Sequence, residues 1–182
     1  MNGGRGLRID HDYALALATP DDITDMLELQ GRNLAVHGGT LSIAFPRELF
    51  QTMIAAMPAI VARRAGCLVG YVLAAEIASQ RHQPIIAAML RVYSGSSDAY
   101  FYGPICVDEA ERGRGVARLL FAALCAQLPG REGITFIRSD NVASLQAHKK
   151  MGWHSVGDFT QDGIAFVIAS APPGNLPVGP TA

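Results

Sequence analysis

The stretch Val107-Asp108-Glu109-Ala110-Glu111-Arg112-Gly113-Arg114-Gly115-Val116-Ala117-Arg118-Leu119-Leu120 decides how the rest of the chain is read. The residues before it, Ala99 to Val107, form a β-rich apolar run that ends in a short acidic turn. Beyond the turn, Val116, Leu119, Leu120, Ala123, Leu124 and Gln127 recur at i, i+3, i+4 and i+7, the spacing of one buried helix face. The stretch also carries two glycines and three arginines. A strand, a Gly-rich turn and a helix N-terminus together suit anionic oxygen. The N–H groups of the first turn lack partners inside the helix and carry the positive end of its dipole. The stretch therefore predicts a site for a phosphate-bearing cofactor.

Composition limits what that cofactor serves. The chain has 182 residues, 49% of them hydrophobic and 17% charged, which suits one domain with a well-filled core. A formal net charge of −1 provides no basic field for nucleic acid or an anionic membrane, so neither is expected as a partner. Cys67, Cys106 and Cys125 are odd in number and scattered. They read as buried, inert small hydrophobes in a reducing compartment, neither a disulfide nor a metal set. No apolar run reaches the length of a membrane span, and no apolar core follows Met1-Asn2-Gly3-Gly4-Arg5-Gly6 as a secretory signal requires. The expectation is a soluble cytoplasmic protein.

Residues 1–11 are Gly- and Arg-rich and read as a flexible N-terminus, and residues 171–182 as a disordered tail around a domain at 12–170. Tyr13 to Ala18 reads as a first strand. Thr19-Pro20-Asp21-Asp22 then starts a helix, with Thr19 as cap and Pro20 at its first position. Pro46 opens a second helix. Ala59–Arg63 and Leu68–Ile77 read as strands joined through Arg64-Ala65-Gly66. Ser79 to Asp98 reads as a polar insertion with one amphipathic patch (Ile85, Ile86, Met89, Leu90, Tyr93), an excursion that shapes or closes a substrate site. Ile134–Arg138 is a short strand, and a helix capped at Asp140 or Asn141 ends at Gly152. His154–Phe159 and Ile164–Ala169 form a last hairpin around Asp162-Gly163. The sum is an α/β (α+β) fold with a mixed, mostly antiparallel sheet and about four helices.

Three phosphate-binding patterns compete for the turn. A Walker loop requires Gly-Lys-Ser/Thr, and the chain has Gly115-Val116-Ala117. A Rossmann fingerprint matches at Gly113 and Gly115 but has Arg118 at its third position. The pattern Arg112-x-x-Gly115-x-Ala117 instead resembles the [R/Q]-x-x-G-x-[G/A] motif of the GCN5-related N-acetyltransferases (GNAT). A second segment supports the resemblance: Asn141-x-x-Ser144-x-x-x-His148-x-x-x-Gly152-Trp153 is similar to the later motif of that family, with His148 in place of the usual Tyr and Trp153 in place of Phe. Asn141, Ser144 and His148 share one helix face.

The resemblance implies a GNAT-like twisted sheet with splayed central strands and acetyl-CoA as cosubstrate, without a metal. It implies that Arg112, Gly113, Arg114, Gly115, Val116 and Ala117 hold the pyrophosphate, that the backbone of Ile105, Cys106 and Val107 pairs with the pantetheine arm, and that Asn141 and Ser144 line that arm. Gly103-Pro104, poor strand residues, fit the splay. His148 is implied as the general acid that protonates the leaving thiolate. Glu76 is the first candidate for general base, with Asp98 next, Tyr100 and Tyr102 as positioners of water, and Asn33 and His37 bounding the acceptor pocket. The expected reaction is direct acetyl transfer to a small-molecule amine in a ternary complex, with a homodimer left open. A protein N-terminal or lysine acetyltransferase and a non-catalytic acyl-CoA sensor are the alternatives. Acceptor-dependent thiol release separates them.

Overall fold

The computed structural model describes residues 6–10, 12–34, 41 and 44–173. In chain order the first elements are β1 (Gly6–Asp10), β2 (Tyr13–Leu17), α1 (Ile23–Arg32), α2 (Arg47–Ala56), β3 (Ile60–Arg64) and β4 (Cys67–Glu76). There follow α3 (Ile77–Gln80), α4 (Pro84–Val92), β5 (Tyr100–Val107), α5 (Val116–Gln127), β6 (Gly133–Arg138), α6 (Val142–Lys150), β7 (His154–Gln161) and β8 (Ile164–Ala171). The fold is mixed α/β: β5 and β6 pair in parallel, while β1–β2, β2–β3, β3–β4, β6–β8 and β7–β8 pair antiparallel. Two compact units form, Met1–Ala74 with Pro104–Gln127, and Ala75–Gly103 with Leu128–Ala182.

In the first unit the strands run in the order β1-β2-β3-β4-β5. Thr19 opens the way into α1 with a reciprocal cap, its N–H donating to Asp22 Oδ2 at 2.7 Å. Ile23, Met26 and Leu29 then bury one face of α1. The β3–β4 hairpin turns on Ala65 (φ 48°) and Gly66 (φ 83°), the primed geometry whose twist matches the flanking strands. β4 is buried from Leu68 to Ala75, as its unbroken apolar run requires. At Gly70 a Cβ would stand 3.1 Å from both Leu120 Cδ1 and Val116 Cγ1, and 3.2 Å from the Cys106 carbonyl oxygen. The bare backbone there lets the start of α5 seat against β4. Val116, Leu120, Phe121, Ala123 and Leu124 are the buried residues of α5, while Leu119 and Gln127 of the expected stripe are half-buried.

In the second unit the order is β5-β6-β8-β7. β6 pairs with β8 along its whole length, Gly133↔Ala171 to Arg138↔Phe166, but with β5 only at Tyr100↔Gly133 and Phe101↔Ile134. That short parallel register is the expected splay. Gly103, just beyond it, has φ 111°, a conformation that favours glycine. The β7–β8 hairpin turns on Asp162 (φ 51°) and Gly163 (φ 75°).

Three expectations change. Gly6–Asp10, placed in a flexible terminus, pair with β2 as a strand. The tail expected from residue 171 includes Ala171 of β8, and residues 174–182 lie outside the described residues. Within Ser79–Asp98, read as a polar excursion, the amphipathic patch joins the core: Ile86, Ala88 and Met89 of α4 pack with Ile77, Phe159, Phe166 and Ile168, while residues 94 and 96–98 are exposed. With α3 and α4 so placed, the helices number six among the described residues.

Candidate active site

The turn read as a phosphate site lies in the first unit. A 3-10 turn, Glu109–Glu111, follows β5, and Asp108 Oδ1 caps it by accepting from the Ala110 N–H at 3.1 Å. Gly113 (φ 77°) and Gly115 (φ 84°) then lead into α5, whose first ladder bond runs from the Leu119 N–H to the Gly115 carbonyl at 3.1 Å. The N–H groups of the first turn of α5 therefore have no carbonyl of their own helix to meet. A Cβ placed on Gly113 or Gly115 meets nothing within 4 Å, so the space in front of these two residues is open. Backbone donors beside that opening fit a diphosphate.

The arginines of the turn are placed otherwise than expected. Arg112 Nη2 donates to Asn33 Oδ1, and Asn33 itself is buried and donates to the Leu29 carbonyl at 2.9 Å. Arg112 thus braces the turn against the end of α1, and Asn33 is a structural anchor where an acceptor contact was expected. Arg32 adds a second brace to Asp108 at 3.1 Å. Arg114 is exposed, with Nε 3.7 Å from Glu111 Oε2. Glu111 is buried and receives the Tyr13 hydroxyl at 2.6 Å and Arg64 Nη1 at 2.9 Å. The Tyr13 hydroxyl and then Arg64 hold its carboxyl below the usual carboxylate range. Ahead of the turn, Ile105 and Val107 are half-buried on either side of buried Cys106. Burial pushes the Cys106 thiol up to about 12, so this cysteine is inert as read. Cys67, by contrast, is exposed.

The second motif lies in the second unit and starts with a cap. Asn141 Oδ1 accepts from the Ser144 N–H at 3.1 Å, so this oxygen caps the N-terminus of α6. Gly152 (φ 86°) closes the helix, and the Trp153 N–H donates back to the His148 carbonyl at 3.0 Å. That bond draws Trp153 beside His148, ring centroids 5.4 Å apart, with Tyr102 at 5.8 Å from His148 and 4.7 Å from Trp153. His148 is buried, and its Nδ1 lies 2.8 Å from the Ser144 carbonyl oxygen. A carbonyl accepts only, so Nδ1 carries the proton and Nε2 is the acceptor of the neutral ring. Burial lowers the His148 pKa against the support of the Ser144 carbonyl. At neutral pH the ring has no second proton to give, which corrects its reading as a standing general acid.

Glu76 is corrected more sharply. Both carboxylate oxygens are held by Arg131, at 2.9 Å from Nη1 and 2.8 Å from Nη2, and Arg131 Nε donates to the Asp98 carbonyl at 2.7 Å. The guanidinium bonds lower the pKa of Glu76, the opposite of what a base requires. Asp98 is exposed, while Tyr100 and Tyr102 are buried, Tyr100 beneath the Arg131 guanidinium. His37 lies outside the described residues. Glu111, Arg64 and Tyr13 were missed as partners because they are far apart in the chain. A glutamate beside a phosphate motif was the one available signal.

Residues 27–153, more than half of the chain, match the model of the Acetyltransferase (GNAT) family. The chain belongs to that family, and acetyl-CoA is its acetyl donor. A solved GNAT-family acetyltransferase of Streptococcus agalactiae is similar at TM-score 0.68 and 18% identity, over 88% of this chain and 95% of that one. The YncA protein of Salmonella typhimurium, solved with its cofactor acetyl-CoA, is similar at 0.65 and 14%, over 94% and 97%. A ribosomal-protein-alanine N-acetyltransferase of Brucella melitensis is similar at 0.61 and 20%, over 87% and 98%. At these identities the likeness is one of fold. A comparison with curated protein sequences returned no match. Among the described residues no cluster of three or more His, Cys, Asp or Glu could hold a metal ion, and no helix is long and apolar enough to cross a membrane.

Proposed function

We propose that this chain transfers the acetyl group of acetyl-CoA to the primary amine of a small molecule, directly and without an acetylated enzyme. The observation that carries the donor half is the open turn at Gly113 and Gly115, set at the N-terminus of α5. Backbone N–H groups of Gly113 to Ala117 hold the pyrophosphate, and the strand residues Ile105, Cys106 and Val107 offer their backbone to the pantetheine arm. Ser144, and Asn141 through its amide nitrogen, line the arm. Acetyl-CoA supplies an activated thioester. The thiols of Cys67, Cys106 and Cys125 suit a reducing compartment, and we place the enzyme in the cytoplasm.

His148 is assigned a carrier role. The neutral ring accepts at Nε2 the proton that the amine sheds on forming the new C–N bond, and then gives it to the departing sulfur. One proton leaves nitrogen and one reaches sulfur, so the ring ends as it began. The earlier loss of a proton from the acceptor's ammonium falls to solvent, since Glu76 is held by Arg131. The small-amine reading takes its support from the segment between β4 and β5, which folds into α3 and α4 and packs through Ile77, Ile86 and Met89 with Phe159, Phe166 and Ile168. Mass spectrometry after incubation with acetyl-CoA and a panel of amines, amino acids and peptides tests it. Products confined to small amines support the proposal. Products only on peptide N-termini or lysines would replace it with protein acetylation, and acetyl-CoA binding without any product would replace it with a sensor.

A further inference from the structure

Glu111 sits one residue ahead of the donor turn and has the wrong charge for that place. A carboxylate beside a diphosphate repels it, and this one is buried to 7% exposure, where like charge is poorly screened. Its bonds indicate what it does there. Oε2 accepts the Tyr13 hydroxyl at 2.6 Å and Oε1 accepts from Arg64 Nη1 at 2.9 Å, while Arg114 Nε lies 3.7 Å from Oε2. Tyr13 begins β2 and Arg64 ends β3, and the neighbouring pair Ala14↔Arg63 is in register, so both partners stand at one end of the same ladder. Both oxygens are thereby fixed to the sheet, and the chain leaves this fixed point directly into Arg112 and the left-handed residues Gly113 and Gly115. Those two residues have no side chain to hold them in place.

We infer that Glu111, tethered by Tyr13 and Arg64, is a positioning residue of the donor site: it sets the pose of the turn so that its backbone N–H groups meet the diphosphate. The inference rests on the reading of the turn as the acetyl-CoA site. It makes a prediction of definite sign, because the two effects of the carboxylate oppose each other. As a bare charge it weakens acetyl-CoA binding, and its neutralisation would lower KM for acetyl-CoA. As a tether it strengthens binding, and its loss raises that KM.

The test measures acetyl-CoA affinity by calorimetry, and KM and kcat by thiol release, for the parent, Glu111→Gln and Tyr13→Phe. A glutamine has one acceptor oxygen for two donors, and Tyr13→Phe removes the hydroxyl while leaving the charge. Both variants are expected to raise Kd and KM for acetyl-CoA roughly tenfold, the size of one charge-assisted hydrogen bond, with kcat and the acceptor KM within about twofold of the parent. A lower KM in Glu111→Gln, or unchanged affinity in both folded variants, overturns the inference, as does a fall in kcat alone. If Glu111→Gln does not fold, Tyr13→Phe decides. A parent that does not bind acetyl-CoA would instead overturn the donor reading itself.

Discussion

In the proposed reaction His148 enters as a neutral imidazole, and two measurements follow from that. Its pKa is lowered in the folded state by burial, so the unfolded chain takes up a proton first as pH falls. The stability contributed by the neutral ring is complete above the unfolded value, about 6.5, and is lost as pH falls through that value toward the lowered one. Denaturant unfolding at pH 5 to 7 should therefore show a slope that flattens in His148→Phe. Turnover should fall by about a hundredfold in the same variant with little change in acetyl-CoA affinity, and an unaltered kcat would remove the carrier role. At Gly115, φ 84° makes any side chain strained, so Gly115→Ala should cost about 1–2 kcal/mol and weaken acetyl-CoA binding. Alkylation at pH 8 should label Cys67 and spare Cys106, a difference readable by peptide mass. At this scale residue identity was legible in sequence and partnership was not. Glu76 on a strand looks like a base until Arg131, distant in the chain, is found on both of its oxygens.

The elements that hold these residues depend on a few close approaches. Gly70 lets β4 meet the start of α5, and Gly70→Ala adds a Cβ 3.2 Å from a backbone oxygen that cannot swing aside. Thermal unfolding should show a loss of about 1–3 kcal/mol. Glu132, buried just ahead of β6, accepts from the Tyr93 hydroxyl at 2.7 Å, the Ser96 N–H at 2.6 Å and the Ser170 hydroxyl. Desolvation would raise its pKa, but the bonds from Ser170, Tyr93 and Ser96 outweigh it and the net shift is downward. The stability that Glu132 contributes is thus present above its unfolded pKa, about 4.3, and lost as pH falls through the lowered value. Caps and hairpins were legible because their chemistry is local: Thr19-Pro20, Asp162-Gly163 and Gly152 lie where their backbone angles require them. The burial of α4 was not, because its apolar face was visible but the strands that cover it, β7 and β8, come much later in the chain.

At the scale of the whole molecule, the family follows from two short motifs and the order of elements around them. The mixed sheet and the brief β5–β6 register could be anticipated because a Gly-Pro pair in a strand signals a break wherever it occurs. Strand β1 was not anticipated, because its short alternation, Leu7-Arg8-Ile9-Asp10, directly follows the Gly- and Arg-rich start of the chain. The central claim is that the Gly113–Gly115 turn presents acetyl-CoA for transfer to an amine. Its most direct test is acceptor-dependent thiol release by the parent and by Gly115→Glu, a substitution that fills the opening in front of the turn with a strained, negatively charged side chain. The expected result is release that saturates with acetyl-CoA and requires an amine in the parent, and none in a folded Gly115→Glu. Release by that variant at the parental rate and KM would contradict it.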